Sequence, residues 1–311
     1  MEKEELLQQE VEDFRVGKET TAELVEKMHS AGGFSSKNLA TAVNILKSMN
    51  SDKCKKVLSF TADLVATGLR GVIAQMIEQD MVDVIITTCG TLDHDLARAW
   101  GGKYYHGSFE LDDHELQKLG INRLGNVLVP NESYGIILEE KMQPIISELS
   151  KQKPDWGPRE LIHEFGLRIQ DKNSILYWAA KKNIPVYVPG ITDGAFGANL
   201  VWFSQENNFK VDVLKDEREL ADMFFSKNKF GALMLGGGIS KHHTIWWSQF
   251  ANGLQYAVQI TTATQYDGSL SGARLKEAVS WGKVAQTAKY VNVDGDVTIL
   301  LPLIISAVLE K

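Results

Sequence analysis

Residues able to do chemistry are concentrated between positions 232 and 284 of this 311-residue chain. Lys283 lies there in the largely apolar segment AVSWGKV. Burial lowers the pKa of a lysine and makes its neutral amine available as a nucleophile. We therefore predict that Lys283 is a covalent nucleophile, served by a dinucleotide bound near a glycine triplet in the same region. A lysine that extends to solvent from a helix end is the structural alternative, and spacing alone modestly favours it.

That triplet, Gly236, Gly237 and Gly238, follows the apolar run ALML. A glycine turn at the end of a buried strand lets a phosphate or diphosphate approach the backbone. The segment is not a GxGxxG fingerprint, and a turn without a ligand fits the glycines about equally well. Their neighbours must decide between the two interpretations.

A basic triplet, Lys241-His242-His243, follows the glycines, with Trp246 and Trp247 one helical turn farther on. A Lys-His-His run on a surface loop is usually solvated. Its position beside the glycines nevertheless favours at least one imidazole that faces a cleft. No third ligand at metal-binding spacing accompanies the histidines, so we predict no metal site.

Two aspartate loops follow other apolar runs. Asp267 begins the sequence DGSLSG, and Asp193 begins DGAFG. Aspartate and glycine are ordinary turn residues, so turns without a ligand are one interpretation. In the other, the carboxylate accepts hydrogen bonds from a ribose or from a cationic amine.

The elements that must position these residues alternate between short apolar runs and helical segments from Cys54 onward. This alternation is typical of a parallel sheet with crossover helices. We predict an α/β fold with a doubly wound, mostly parallel, Rossmann-like sheet, helices on both faces, and an N-terminal helical extension. Strands are predicted at residues 57–60, 82–88, 127–129, 186–188, 211–214, 232–235, 257–262 and 298–301. Helices are predicted at 2–14, 20–30, from an N-cap at Ser36 onward, and at 64–80, 139–150, 158–169, 174–182, 217–226 and 276–282.

Composition limits the class of protein. The formal net charge of −7 argues against nucleic-acid binding and suits a cationic substrate or a basic protein partner. Two cysteines without metal-ligand spacing indicate neither a disulfide framework nor a zinc site, so we expect a reducing cytoplasm. The charged N-terminus has no apolar core of the signal-peptide type, and no run of 18 apolar residues occurs, so we expect no membrane association.

Four segments, GGGISKHH, YDGSLSGA, EAVSWGK and PGITDG, together resemble the deoxyhypusine synthase family, most closely its archaeal branch. The resemblance extends from about Phe34 to the C-terminus. It implies an NAD-dependent enzyme that releases 1,3-diaminopropane from spermidine and holds the four-carbon remainder as an imine on Lys283. The remainder then passes to a lysine of the translation initiation factor 5A precursor, and the NADH formed at the start reduces the new imine to deoxyhypusine. A homotetramer with active sites at subunit interfaces is also implied.

We predict that residues 1–50 form the helical extension and that residues 51–311 form the α/β catalytic domain, to which the resemblance adds NAD binding. Besides the catalytic lysine, two groups of side chains correspond to the family's binding residues. The group expected at the polyamine comprises His242, Glu277, Trp281, Gly268 and Ser269. The group expected at NAD comprises Thr61, Thr88, Gly90, Asp193, Gly237, Gly238, Thr262, Asp267, Ser271 and Asp296.

Several positions near the substrate depart from the eukaryotic pattern. Two acidic residues, a tyrosine and a glutamate of that pattern are replaced here by Ala198, Leu270, Gln259 and His94, respectively. The carboxylates expected to take over their role are Asp93, Asp95 and Glu277. Two alternatives stay open: transfer to a small amine such as putrescine, as in homospermidine synthesis, and a non-catalytic relative that binds NAD or a partner.

Overall fold

The computed structural model describes residues 7–52 and 54–310. Its strands are β1 (Lys55–Phe60), β2 (Val84–Ile86), β3 (Tyr105–His106), β4 (Ile121–Leu124), β5 (Val127–Pro130), β6 (Asp155–Trp156), β7 (Val186–Tyr187), β8 (Lys210–Val211), β9 (Phe230–Leu235), β10 (Leu254–Thr261) and β11 (Val284–Asp294). Its helices are α1 (Thr21–Ala31), α2 (Phe34–Ser51), α3 (Leu69–Glu78), α4 (Cys89–Ala99), α5 (Asp113–Lys118), α6 (Gly135–Ser150), α7 (Pro158–Leu167), α8 (Ile175–Lys181), α9 (Ala195–Glu206), α10 (Leu214–Phe224), α11 (Gly238–Ser248), α12 (Leu275–Ser280) and α13 (Val297–Leu309).

The main sheet has six strands in the order β11-β10-β9-β1-β2-β7, and every pair of neighbours is parallel. The chain adds strands in one direction from β1 through β2 to β7, then returns to the other side of β1 with β9, β10 and β11. The strand order therefore reverses between β1 and β9. Two small sheets, β3-β5-β4 and β6-β8, lie outside this arrangement.

Helices cover both faces of the sheet, as the alternation of side chains in β9 shows. All six residues of β9 are buried. Leu233 and Leu235 belong to one apolar cluster, together with α2, α3, α4, α6, α7 and α13. Ala232 and Met234 belong to a second cluster, with α10, α11 and α12. Successive strand side chains point to opposite faces, so a fully apolar strand must be covered twice. The predicted fold class is confirmed.

The predicted strand at 298–301 is wrong, because these residues lie in α13. The run TILLPLIISAVL is apolar throughout, and periodicity alone cannot separate a buried strand from a buried helix in such a run. Asp296 settles the local structure: its side chain caps the helix by accepting a hydrogen bond from the Thr298 amide at 2.8 Å. The strand that does occupy this part of the sheet is β11. Its alternating exposed residues carry no apolar run that could have revealed it.

Other differences concern element boundaries. Residues 7–14 are not helical, and the rest of the helix predicted at 2–14 lies outside the described residues. The helix predicted from Ser36 begins at Phe34, directly after Gly33 at φ +71°. The segment predicted as a strand at 211–214 divides between the short strand β8 and the start of α10 at Leu214. The predicted strand at 127–129 is β5, which belongs to the small antiparallel sheet.

The N-terminal helices pack against the rest of the chain. Thr20 and Glu23 form a capping box at the start of α1. The Ala22 amide donates to the Glu310 carboxylate at 2.7 Å, next to the end of α13. The apolar face of α2 belongs to the larger of the two clusters. The domain boundary at residue 50 stays a prediction. No helix among the described residues combines the length and apolarity needed to cross a membrane.

Candidate active site

The residues predicted at NAD lie at the carboxyl ends of all six strands of the main sheet. Because the strands are parallel, these ends share one edge, where open α/β sheets bind their ligands. Strand by strand, from one side of the sheet to the other, they are Asp296 after β11, Thr262 after β10, Gly237 and Gly238 after β9, Thr61 after β1, Thr88 and Gly90 after β2, and Asp193 after β7.

The crevice at the reversal of strand order is lined by the glycine turn. A Cβ on Gly236 would lie 3.4 Å from the Thr61 side chain, so the turns after β9 and β1 are adjacent. Gly236 and Gly238 have φ values of +77° and +70°, which favour glycine. Apart from the adjacent residues and the nearby backbone of α11, no heavy atom lies within 4 Å of a Cβ built on Gly238. The first turn of α11 therefore begins beside open space, as an anion-binding helix terminus requires.

Thr88 supplies an unpaired polar atom at the same edge. Its Oγ1 is the one buried side-chain nitrogen or oxygen in residues 7–52 and 54–310 that has no hydrogen-bond partner. The residue occupies the N-cap position of α4, but its hydroxyl does not cap the helix. A buried hydroxyl without a partner carries a desolvation cost, which a ligand atom would remove. The residues predicted at NAD thus include an atom that fits a bound cofactor.

A loop of residues 262–274, which we call the cover loop, lies against the glycine turn. A Cβ on Gly237 would come within 2.3 Å of Ser271 Cα, so only glycine fits there. Asp267 Oδ1 accepts hydrogen bonds from the amide and hydroxyl of Ser269, at 2.8 and 2.7 Å. Gly268 has a φ of +72°. The DGS segment is therefore a tight turn, and any ligand role of these three residues stays a prediction.

Lys283 lies apart from that edge, directly before β11. Its backbone carbonyl accepts hydrogen bonds from the Leu254 amide at 3.0 Å and from Ser248 Oγ at 2.7 Å. Its Nζ lies 5.7 Å from the Trp246 ring centroid and 5.4 Å from that of Trp281. Both distances are within cation–π range. The Trp281 side chain is 66% exposed, so the amine has two aromatic neighbours and access to solvent.

The two adjacent histidines differ in their surroundings. The His242 ring stacks on Trp246 at 6.0 Å, and partial burial together with the positive charge of Lys283 lowers its pKa. His243 is more enclosed, and burial lowers its pKa to about 4. Trp247 Nε1 donates to His243 Nε2 at 3.3 Å, which requires a neutral ring. Glu217 lies 3.3 Å from the same nitrogen, but a neutral imidazole forms no ion pair at pH 7. His242 is thus the histidine beside the lysine amine.

Lys241 was not predicted as a site residue, and burial sets it apart from its neighbours. Its side chain is 2% exposed, and its Nζ donates to the carbonyl oxygens of Leu270 and Ala273 at 2.7 and 2.5 Å. Burial lowers its pKa to about 8, while the negative charge of Glu277 opposes that shift. Glu277 itself is exposed on α12. No sequence signal distinguishes this lysine from a solvated one.

The carboxylates of Asp93 and Asp95 are not available to a polyamine, contrary to expectation. Asp93 accepts hydrogen bonds from Tyr134 Oη and from the first two amides of α9, at 2.9, 2.9 and 2.6 Å. Asp95 pairs with Arg70 Nε at 2.5 Å and with the N-terminus of α8. Both side chains are buried. Of the three carboxylates considered as replacements, only Glu277 is exposed.

A groove of about 650 Å³ lies beside His94, and sequence reasoning missed it. His94 Nδ1 is 2.7 Å from Tyr104 Oη, and burial lowers the pKa of the ring to about 4. The walls are aromatic, aliphatic and amide side chains with one cation and one carboxylate, including Asn122, Arg123, Leu124, Tyr134, Ile136, Glu139, Asn199 and Trp202. No group of three His, Cys, Asp or Glu side chains within the described ranges is arranged to hold a metal ion.

Comparison with known proteins places this site in a family. The family model for deoxyhypusine synthase matches residues 23–308. A relative from Thermoplasma acidophilum that carries this name is 52% identical over 308 residues, which cover 98% of this chain and 99% of its own length. Another from Sulfolobus acidocaldarius is 51% identical over 278 residues, which cover 89% of both chains.

Solved structures support the fold. A protein from Entamoeba histolytica that carries the same family name superposes with a TM-score of 0.65 at 22% identity, over 92% of this chain and 91% of that one. A ternary complex of AgrE with ornithine and NAD⁺ reaches a TM-score of 0.52 at 13% identity, over 89% of this chain and 34% of that one. These two likenesses concern architecture alone. The match to the family model over most of the chain and the identity of about half to full-length archaeal relatives carry the assignment: the chain belongs to the deoxyhypusine synthase family.

Proposed function

We propose that this protein transfers the aminobutyl group of spermidine to a lysine of the translation initiation factor 5A precursor in an NAD-dependent reaction that forms deoxyhypusine. The observation that carries the proposal is the Lys283 amine beside two indole rings, in a chain of this family. A lysine amine is the group that imine chemistry requires. The electron-rich ring faces attract the cationic amines of a polyamine donor.

The carboxyl edge of the sheet would hold NAD. The N-terminus of α11, which has Gly237 as its N-cap and begins at Gly238, suits the diphosphate of NAD. The buried Thr88 Oγ1, which has no hydrogen-bond partner within the described residues, could bond to the cofactor. The open space beside Gly238 leaves room for the phosphates to approach the backbone. When bound, NAD would accept a hydride from the donor amine and return it at the end of the reaction.

Lys283 would carry the transferred group. Its amine attacks the imine carbon of the oxidised donor, a new C–N bond forms, and the bond to the leaving diamine breaks. His242, neutral at pH 7 because its pKa is lowered, is placed beside Lys283 to accept and return the proton that this exchange moves. The acceptor lysine then attacks the same imine carbon, a bond to its nitrogen forms, and the bond to Lys283 Nζ breaks, which frees Lys283.

Assembly would complete the site. An imine on Lys283 must be kept from water, yet Trp281 and Trp246 are both exposed in the single chain. A second copy of the chain packed over this aromatic wall would exclude water, which supports a homotetramer with active sites at subunit interfaces. We also propose a cytoplasmic location, because Cys54 and Cys89 are free, buried thiols.

Transfer to a small amine, as in homospermidine synthesis, is the second candidate. Ala198 and Leu270 leave two acidic positions of the eukaryotic pattern empty, and the engagement of Asp93 and Asp95 means that these neighbours do not replace them. A site with fewer carboxylates pairs with fewer ammonium groups and therefore selects spermidine less strongly as the donor. The third candidate, a non-catalytic relative, predicts that Lys283 forms no adduct.

Labelled products separate these candidates. The protein is incubated with NAD and with spermidine labelled in its butyl portion, in the presence of either the factor 5A precursor or putrescine. Label in the protein acceptor supports the proposed function, whereas label in putrescine alone refutes it. Borohydride treatment should trap an NAD-dependent adduct on Lys283, and failure to trap any adduct would favour the non-catalytic relative.

A further inference from the structure

We propose that Lys241 is a positioning residue, which with Gln259 fixes the cover loop against the glycine turn and thereby sets the width of the crevice that receives the cofactor. The identity of that cofactor rests on the function proposed above. The position of the loop does not, because it follows from contacts within the chain.

The first contact joins the loop to α11. Lys241 lies in the first turn of α11, which begins at Gly238, so the glycine turn and this lysine belong to one rigid unit. Its ammonium donates to two loop carbonyls, those of Leu270 and Ala273. A charged donor makes stronger hydrogen bonds than a neutral one, and these bonds are shielded from water. The side chain therefore ties the loop to the helix at two points, three residues apart.

The second contact runs through the sheet. Gln259 is fully buried at the end of β10 and donates to the Ser271 carbonyl at 2.9 Å. Its side-chain oxygen accepts from Asn292 Nδ2 at 2.8 Å. Asn292 in turn accepts from the Leu275 amide at 3.1 Å, at the start of α12. A chain of polar groups thus links β10, β11, the cover loop and the helix that leads to Lys283.

Close packing shows why this position matters for the crevice. Ser271 presses against Gly237 so tightly that no side chain fits between them. Gly272 packs equally closely on the Thr264 carbonyl, so the loop is folded on itself. Residues 264–270 are otherwise exposed. A loop with an exposed tip keeps its place through its tethers, and a shift at Ser271 would open or close the space beside the glycine turn.

The environment of Lys241 favours a positioning role over a nucleophilic one. Its amine already uses two donors on carbonyl oxygens, and it has almost no access to solvent or substrate. A buried ammonium is costly, and a methionine of similar length would fill the same volume without that cost. Glu277 and Arg274 are the charged groups that act on it, with opposite effects on its pKa. The hydrogen bonds to the Leu270 and Ala273 carbonyls explain why a lysine occupies this buried position.

Hydrogen exchange on the complete protein without ligand tests the tether. Lys241→Met should speed exchange in peptides of residues 264–274 by about tenfold or more, because both hydrogen bonds that join the loop to α11 are lost. The matched control is Lys289→Met, which removes an exposed lysine from β11 and should change nothing in the loop. Unchanged exchange in Lys241→Met would overturn the proposal.

Calorimetric titration with NAD tests the crevice. Lys241→Met should weaken NAD binding by about tenfold, with a matching rise in KM for NAD. Faster loop exchange with unaltered NAD affinity would overturn the link between loop and cofactor. If the wild-type protein binds no NAD, the proposed function fails, while the exchange measurement still decides the role of Lys241.

A second variant guards against a folding defect. Gln259→Met removes the bonds to Ser271 and Asn292 while keeping a side chain of similar length. It should speed loop exchange and weaken NAD binding in the same direction, by about threefold, because one of the two lost bonds is a neutral hydrogen bond to the loop. If Lys241→Met does not fold, an unchanged Gln259→Met protein overturns the proposal.

Discussion

Burial divides the two lysines beside α11 between different tasks. Lys241 donates hydrogen bonds to two backbone carbonyl groups, and its side chain is buried. Lys283 is partly exposed, with its amine among aromatic rings. A nucleophile needs an amine that substrate can reach, and a structural tether needs one that water cannot. Lys241 directly precedes His242 in α11, and the positive charge of Lys283 lowers the pKa of the same histidine.

Replacement of Lys283 should abolish turnover. Lys283→Ala removes the only atom that we propose to form the imine, so the rate of product formation should fall by at least about a thousandfold. NAD affinity should stay within about twofold, because Lys283 lies before β11 and away from the carboxyl ends of the strands. Lys276→Ala, on the exposed side of α12, is the control and should keep its activity. Product from the Lys283→Ala protein would contradict the assignment.

His243 should make the stability of the protein depend on pH. Its pKa is about 4 when folded and 6.5 in the unfolded chain, so the unfolded state binds more protons between these values. The stability associated with the neutral His243 ring is fully present above pH 6.5, and the free energy of unfolding decreases as the pH falls from 6.5 toward 4. His243→Gln keeps an acceptor for Trp247 but does not titrate. Relative to wild type, its free energy of unfolding should improve by about 1–2 kcal/mol from pH 7.5 to pH 5.

Urea unfolding at the two pH values measures this difference. His29→Gln is a suitable control, because this histidine lies in α1, far along the chain from the site. It should show no comparable change between pH 7.5 and pH 5. Identical pH dependence of wild type and His243→Gln would mean that His243 is not buried as a neutral ring.

At the scale of elements, close packing at two of the turns that follow the strands leaves room for glycine but not for a larger residue. Gly237 has no room for a Cβ against Ser271, and Gly90 would place one 2.9 Å from Ala62 Cβ. These limits fix how closely the cover loop and the first turn of α4 approach the crevice. The six turns form a surface of backbone and small polar groups, as a phosphate-bearing ligand needs.

Gly237→Ala should displace the cover loop. The added methyl group collides with the backbone of Ser271, so NAD affinity should fall by about tenfold or more. Gly71→Ala is the matched control: it lies inside α3, has open space around its Cβ position, and should raise the free energy of unfolding by about 0.5–1 kcal/mol. Titration with NAD and urea unfolding of both variants supply the two measurements. Undiminished NAD binding by Gly237→Ala would show that the crevice is not the NAD site.

Asp296 has two possible tasks, and two substitutions separate them. As the N-cap of α13 it should be replaceable by asparagine, whereas Asp296→Ala should lower the free energy of unfolding by about 1 kcal/mol. As a ligand of NAD it should lose affinity in both variants. Equal NAD affinity in wild type and Asp296→Asn would restrict the residue to capping.

The sequence predicted the elements whose patterns are local and strong. The buried strands β1, β2 and β9 and the helices α6, α7 and α8 were recognised from apolar runs and helical periodicity. The apolar α13 was mistaken for a strand, because a run that is apolar throughout has no periodicity that separates a buried helix from a buried strand. The polar edge strand β11 was missed, because its pairing with β10 rather than its own pattern makes it a strand. The glycine triplet was placed correctly after a buried strand, whereas the strand that follows Lys283 was not predicted.

Other site features depend on distances across the fold. Lys241 and Gln259 act through carbonyls 12 to 32 residues away. The sequence suggests that the Asp93 carboxylate is available to a substrate, but it accepts three hydrogen bonds within the fold, one of them from a residue 103 positions away. Burial and hydrogen-bond partners of this kind cannot be read from spacing.

At the scale of the whole molecule, exposed aromatic residues surround the lysine amine. Trp246, Phe250 and Trp281 form a partly exposed aromatic surface at the end of α11 and before β11. Large exposed apolar patches mark interaction sites. In a homotetramer this surface would be covered and Lys283 enclosed, so assembly and catalysis should depend on the same residues.

Light scattering should report a mass near four times the 34.6 kDa of one chain. Phe250→Glu places a charge within the proposed contact and should lower both the assembled mass and the rate of deoxyhypusine formation. Trp202→Glu changes an exposed aromatic residue of the groove beside His94 and serves as a control for assembly. A fully active monomer would contradict the proposed completion of the site by a second copy.

The strand order also has a consequence for how the chain reaches its native state. β1 and β9 are neighbours in the sheet, yet about 170 residues lie between them in the chain. During synthesis one edge of β1 has no β-sheet partner until β9 emerges, and pairing across such a separation is slow because the entropy of closing the intervening loop opposes it. The crevice between these two strands is therefore completed late in folding. Any ligand that bridges it binds only chains in which both halves of the sheet have joined, and so stabilises the finished fold selectively.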